Sequence, residues 1–197
     1  NNPLLIKDES LTDLSAQITA VASRIPALQP LASYLGATYG QVRQAKTGDL
    51  VPLTTRAVIG TPDASLPAAY PNEYKLLGVT YPLQDKYVLT ATEVAEVSTA
   101  IKSYNETISE IATKYGYAFV DANAKLAELA KSSGIQYDGV KYTTTYVSGG
   151  AFSLDGVHLT GRGYAIIANE FIKAINKTYK SNLAQVNPNN YSGVTFP

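Results

Sequence analysis

Asp155 and His158 lie three residues apart in the stretch from Phe152 to Tyr164, and His158 is the single histidine in 197 residues. Histidine exchanges protons near neutrality, and a carboxylate one loop turn away can fix its tautomer and stabilise its protonated form. The spacer Gly156-Val157 lets the loop fold so that the carboxylate meets Nδ1 while Nε2 points outward, with Gly156 tolerating the tight turn. These are two parts of a hydrolytic triad. The third part, a serine in a nucleophile motif, is not recognisable. Ser148 and Ser153 are nearest in sequence, but neither is set in a nucleophile turn or beside a pair of oxyanion donors. Taken alone, a loop histidine beside an aspartate is more often a helix-capping or packing residue than a catalytic one, so both readings stand at this point.

The elements that must hold this pair are sharpest in the second half of the chain. Thr90-Ala-Thr-Glu93 has the form of a capping box, and Val94, Val97, Ile101, Tyr104, Ile108, Ile111 and Tyr115 follow at helical spacing, which predicts a long amphipathic helix ending at Gly116. Tyr117-Ala-Phe-Val-Asp121 is short, apolar and rich in strand formers, as a buried parallel strand is, so helix then strand argues for an α/β fold. A helix from about Asn123 to Lys131 is expected next, closed by Ser132-Ser-Gly134. A hairpin follows, with Ile135 to Tyr137 turning at Asp138-Gly139 into Val140 to Val147. Thr160 is the expected N-cap of a final helix from Gly161 to about Tyr179, which places His158 just ahead of a helix N-terminus. The residues from Lys180 to Pro197 have no periodicity and are expected to wrap the surface or fray.

The first 86 residues read differently. Seven of the ten prolines fall between Pro26 and Pro82, and each opposes helix continuation. One helix from about Leu11 to Ile25, further short helices, a possible turn at Thr47 to Val51 and a long surface excursion from Ile59 to Asn72 are expected. The division is therefore 1–86 as a helical and loop-rich segment, 87–179 as the α/β part and 180–197 as a surface tail.

The block Asp155-Gly-Val-His158-Leu-Thr160-Gly-Arg-Gly163-Tyr164 resembles the last block of the SGNH, or GDSL-type, esterase and acylhydrolase family, in which an Asp-x-x-His loop precedes a C-terminal helix. Gly149-Gly-Ala-Phe-Ser153 before it and Ala165 to Ile175 after it are similar to bacterial members. Leu159 departs from the proline frequent at that position. The resemblance implies that His158 is the general base for a serine nucleophile and Asp155 its orienting partner, with Thr160 and Gly163 structural. It implies a three-layer α/β/α domain of flavodoxin-like type, incomplete at the N-terminal side of its sheet, because the family's Gly-Asp-Ser, oxyanion glycine and Gly-x-Asn-Asp blocks are not found. Gly48-Asp49-Leu50 keeps two letters of the first block but has leucine at the nucleophile position and reads as chance. The implied function is the His-Asp portion of a serine ester hydrolase acting on an acylated carbohydrate, lipid ester or thioester, with the nucleophile on an N-terminal segment of the same protein.

Composition narrows the alternatives. Lys+Arg and Asp+Glu are both 16, so no basic footprint for nucleic acid exists, and no apolar run reaches the roughly 20 residues that span a bilayer. Cysteine is absent, which removes disulfides and thiolate chemistry. One histidine with scattered carboxylates lacks metal-ligand spacing, so neither a metal nor a cofactor is expected. Methionine is absent as well, and a chain opening on Asn1-Asn2-Pro3 reads as a piece of something longer. Low charge with 15 tyrosines suggests a secreted or bacterial cell-envelope protein. A second class of function stays open: a non-catalytic carbohydrate-binding or structural module of the same fold, in which Tyr137, Tyr142 and Tyr146 stack on sugar rings. The bland reading of those tyrosines is packing across hairpin strands.

Overall fold

A computed structural model describes residues 3–194. The chain divides into two compact units, one running to Ala100 and the other starting at Ile101. The expected long helix, α3 (Ala91–Tyr115), crosses that division.

In the first unit, β1 (Leu5–Lys7) pairs antiparallel with β2 (Val42–Gln44), Ile6 facing Arg43. On its other side Ile6 makes a parallel bridge to Leu83, with the Lys7 amide donating to the Leu83 carbonyl at 2.7 Å and the Leu83 amide to Leu5 at 2.9 Å. Strand pairing on both sides buries Ile6 and Leu83 completely, and Leu77 and Val88 complete the cluster around them. Between these strands, α1 (Ser15–Ala22) and α2 (Ala32–Tyr39) pack closely because glycine permits it. A Cβ on Gly36 would come within 2.6 Å of the Ser15 carbonyl oxygen. The helix expected from Leu11 to Ile25 is thus confined to α1. Residues 47 and 48 form the expected turn, and the expected excursion from Ile59 to Asn72 is turns and bends, apart from a bridge between Pro62 and Leu76 and a 3-10 turn that begins at Asn72.

The start of α3 is a reciprocal capping box. The Thr90 amide donates to Glu93 Oε2 at 2.7 Å and the Glu93 amide to Thr90 Oγ1 at 3.4 Å. Asp49 adds to it, accepting from the Ala91 amide while both its oxygens take the Arg43 guanidinium at 2.6 and 2.9 Å. The Arg43 contact holds the Asp49 carboxyl well below its usual range. The Gly48-Asp49 pair therefore serves as a structural clasp.

The second unit holds α4 (Ala122–Leu129), a hairpin of β3 (Ile135–Tyr137) and β4 (Val140–Tyr142), and α5 (Gly161–Tyr179). Leu129, Ile135, Tyr142, Ala151 and Ile166 form its core. The hairpin turns at Asp138-Gly139, both with positive φ as the Asp-Gly signal requires, but β4 ends at Tyr142, short of the expected Val147. Tyr117 to Asp121 is not a strand: no neighbouring strand is there to pair with it among the described residues, and the Ala118 amide donates instead to the Tyr179 hydroxyl. In place of a central parallel sheet, the described residues form two antiparallel two-stranded sheets plus isolated bridges. No helix among them is long and apolar enough to cross a membrane.

The C-terminal segment wraps rather than frays as far as it is described; residues 195–197 of the expected tail, and Asn1-Asn2 of the opening, lie outside the described residues. Two asparagines of α5 hold it. Asn169, fully buried, donates to the Val186 carbonyl and accepts from the Val186 amide. Asn176 does the same with Leu183. Further on, Asn189 bonds the Tyr142 hydroxyl and the Tyr137 carbonyl.

Candidate active site

The loop carrying the Asp-His pair is built from short-range hydrogen bonds. Phe152 and Leu159 form an antiparallel bridge, the Ser153 amide donates to the His158 carbonyl at 2.8 Å, and the Gly156 amide closes the turn on the Ser153 carbonyl at 3.1 Å. Gly156 takes φ 71° at the turn, where a side chain would be strained. One end of the loop is tied down by α5: Thr160 donates from Oγ1 to the Gly150 carbonyl, accepts from the Gly163 amide, and its own amide donates to Ala151. Gly163 lies so close to this turn that a Cβ there would stand 2.2 Å from the Ala151 carbonyl oxygen. The other side is tied by Tyr146, whose hydroxyl donates to the Leu154 carbonyl at 2.7 Å.

Within that frame, His158 Nδ1 lies 2.7 Å from Asp155 Oδ2. The other carboxylate oxygen, Oδ1, accepts from the Ser153 hydroxyl at 2.6 Å and from the Val157 and His158 amides at 2.8 and 2.9 Å. Ser153 first, then His158 and the two amides, hold the Asp155 carboxyl well below the usual carboxylate range. An ionised Oδ2 accepts from Nδ1–H, which leaves Nε2 as the basic nitrogen. The imidazole is open to solvent, with the side chain of His158 72% exposed and that of Asp155 49%. Nε2 has no hydrogen-bond partner among the described residues. The pair can therefore accept a proton from an incoming hydroxyl and stabilise the cation that results.

Both expected site residues thus come together in the expected geometry. Thr160 and Gly163 hold the loop. Ser153, weighed as a nucleophile in sequence, is instead a donor to Asp155. Ser148 is on the preceding turn, its amide bonded to the Tyr146 carbonyl. Two contributors were not read from sequence: Ser153 as the donor that fixes Asp155, and Tyr146 as the loop's tether. The first has a local signal, since a serine hydroxyl two positions before an aspartate is within reach of its carboxylate in a tight turn. The second has none, because it depends on where β4 ends.

Of the three tyrosines expected to stack on sugars or to pack across the hairpin, Tyr146 is exposed, with its hydroxyl on Leu154. Tyr142 is buried with its hydroxyl on Asn189, and Tyr137 packs edge-on against it with ring centroids 6.4 Å apart.

The helices and small sheets of the two units are compatible with an α/β hydrolase-like fold. The chain belongs to the GDSL-like lipase/acylhydrolase family, whose model matches residues 10–171. That match begins at Ser10 and takes in the whole proline-rich stretch, where the sequence alone had shown no family block. No curated protein and no solved structure matches the chain.

Proposed function

We propose that this chain supplies the general base His158 and its partner Asp155 to a serine ester hydrolase whose nucleophile and oxyanion donors lie on a segment outside these 197 residues. The observation that carries it is the Nδ1–Oδ2 contact of 2.7 Å with Nε2 left open to solvent. In the reaction, Nε2 takes the serine proton as Oγ bonds to the ester carbonyl carbon. It then gives that proton to the departing alkoxide as the C–O bond breaks, and repeats both steps with water to release the acid. Asp155 keeps Nδ1 protonated throughout and offsets the charge of the imidazolium.

Along α3 runs an exposed apolar stripe. Val97, Ile101, Tyr104, Ile108, Ile111 and Tyr115, the stripe expected to be buried, are all exposed, Tyr104 by 67%. An apolar stripe of this length is one that another segment ordinarily covers. Acylated carbohydrate and lipid esters are the substrate classes that suit the reading, in a secreted or cell-envelope setting.

Ser10 is the in-chain rival for nucleophile, because it sits on the turn between β1 and α1. Ser10 also opens the stretch that the family model matches, and within its own unit its hydroxyl donates to Asp8. A fluorophosphonate probe decides between the two. We expect no labelled serine in this chain alone, and a labelled serine outside residues 1–197 in the natural gene product, whose intact mass and N-terminal sequence are measured alongside. A label mapped to Ser10 or any other serine of this chain would overturn the proposal.

A further inference from the structure

Asp8, Asp85 and Glu93 come from the turn after β1, the 3-10 turn at Asp85–Tyr87 and the first turn of α3, all within the first unit. Each offers a carboxylate oxygen, and these oxygens all lie within 4.8 Å of one another. Three like charges at this separation repel strongly unless something positive stands among them. No lysine, arginine or histidine does so among the described residues: none of the three acids takes part in an ion pair. The nearby cations are committed elsewhere, Arg43 to Asp49 and Lys7 Nζ to the Ala37 carbonyl.

A second observation points the same way. Asp8 is completely buried, and its Oδ2 has no hydrogen-bond partner. Oδ1 is satisfied by the Ser10 amide and hydroxyl, so Oδ2 is the oxygen left over. The same unit contains its own control. Asp63 makes the identical turn, with the Ser65 amide and hydroxyl on Oδ1, and there the second oxygen is taken by Gln84 Nε2 at 3.2 Å. Glu93 also has an oxygen to spare, since Thr90 occupies Oε2. A buried carboxylate oxygen without a donor costs free energy that a cation would recover.

We propose that Asp8, Asp85 and Glu93 bind one divalent cation of the calcium class. The donors are all hard oxygens, which select calcium over zinc or copper. Oxygens that share one calcium ion at about 2.4 Å each stand no more than about 4.8 Å apart, a limit that these three meet. Bound there, it would tie β1, the Asp85 turn and the start of α3 together. Its ligands are distinct from Asp155 and His158.

The test is thermal unfolding of the full chain after treatment with a chelator, titrated with CaCl2 at constant ionic strength. The expected result is a saturable rise in Tm, about 5 °C or more at a hundredfold excess over Kd. Asp85→Asn and Glu93→Gln, whose side chains are less buried than that of Asp8, should each abolish the rise while keeping the circular dichroism of the parent. Asp155→Asn, in the second unit, should retain it. The proposal fails if about 10 mM CaCl2 leaves Tm unchanged, or if the rise survives in both Asp85→Asn and Glu93→Gln. It also fails if acidification raises Tm and calcium does not, since the three acids would then be sharing a proton instead.

Discussion

Asp8 and Asp155 are two carboxylates whose first oxygen is satisfied by local donors and whose second oxygens meet opposite ends. Asp8 Oδ1 accepts from the amide and hydroxyl of Ser10, two positions on, and Asp155 Oδ1 from the hydroxyl of Ser153, two positions back, and the amides of Val157 and His158. Asp8 is then buried with its other oxygen unpartnered, whereas Asp155 lies at the surface with its other oxygen on His158. The difference lies in what surrounds the turn rather than in the turn itself. At Asp155, chain neighbours supply every donor, so the group is complete as a local unit and is ready to orient an imidazole. At Asp8, the carboxylates gathered around it come from distant parts of the sequence. An isolated Asp-Ser pair therefore says little about role. The second oxygen decides it.

The comparison is broken most severely at His158. In the complete enzyme, His158→Ala should lower kcat on a p-nitrophenyl ester by about four orders of magnitude or more, leaving Asp155 with nothing to orient. Full activity in that variant would remove the pair from catalysis. Asp155→Asn should cost about 10³–10⁴ in kcat with KM little changed, because Nδ1 loses its acceptor and the imidazole can settle in the wrong tautomer. A large rise in KM at unchanged kcat would instead place Asp155 in substrate binding.

Smaller changes sharpen the comparison by testing the frame. Gly163→Ala inserts a methyl group against the Ala151 carbonyl and should destabilise the chain by about 1–3 kcal/mol in urea denaturation. A neutral result would mean that the close approach of α5 to this turn is relaxed in solution. Thr160→Ala removes the N-cap of α5 and should cost about 1 kcal/mol by the same measurement.

The smallest effect is expected at Ser153. The Asp155 carboxyl is held low in the folded chain, so its contribution is present above the ordinary carboxylate pKa near 3.9 and is lost as pH falls through the lowered folded value. Ser153→Ala deletes the foremost cause of that lowering, and the Asp155 titration seen by carboxyl NMR should move up towards its ordinary value. An unmoved titration would assign the lowering to His158 and the amides alone.

The same contrast explains what could be read in the sequence. The Asp-x-x-His loop, the Thr90 and Thr160 caps and the span of α5 were legible because each is specified by residues within a few positions of one another. The parallel strand at Tyr117 to Asp121 was misread because a strand is defined by its neighbour, and none pairs with this run among the described residues. The stripe on α3 was correctly periodic, yet periodicity only identifies a face; it does not supply what covers it. β1 and β2, three residues each, are too short for alternation to show. The acidic cluster was out of reach for the same reason: its ligands are neighbours only after β1 has found Leu83 and α3 has been capped.

Asn169 and Asn176 carry a further consequence. They are seven residues apart on α5, and the backbone groups they grip, at Val186 and Leu183, are three apart on a segment running the opposite way. Seven helical residues rise about 10.5 Å and three extended residues span about 10 Å, so the two spacings are commensurate. Each side-chain amide presents one donor and one acceptor, as a peptide group does, and α5 thereby offers extended backbone a substitute strand edge with a repeat of two helical turns. A single-residue insertion between Leu183 and Val186 would throw this vernier out of step, so the length of that interval is set by the pitch of the helix rather than by any contact the intervening side chains make.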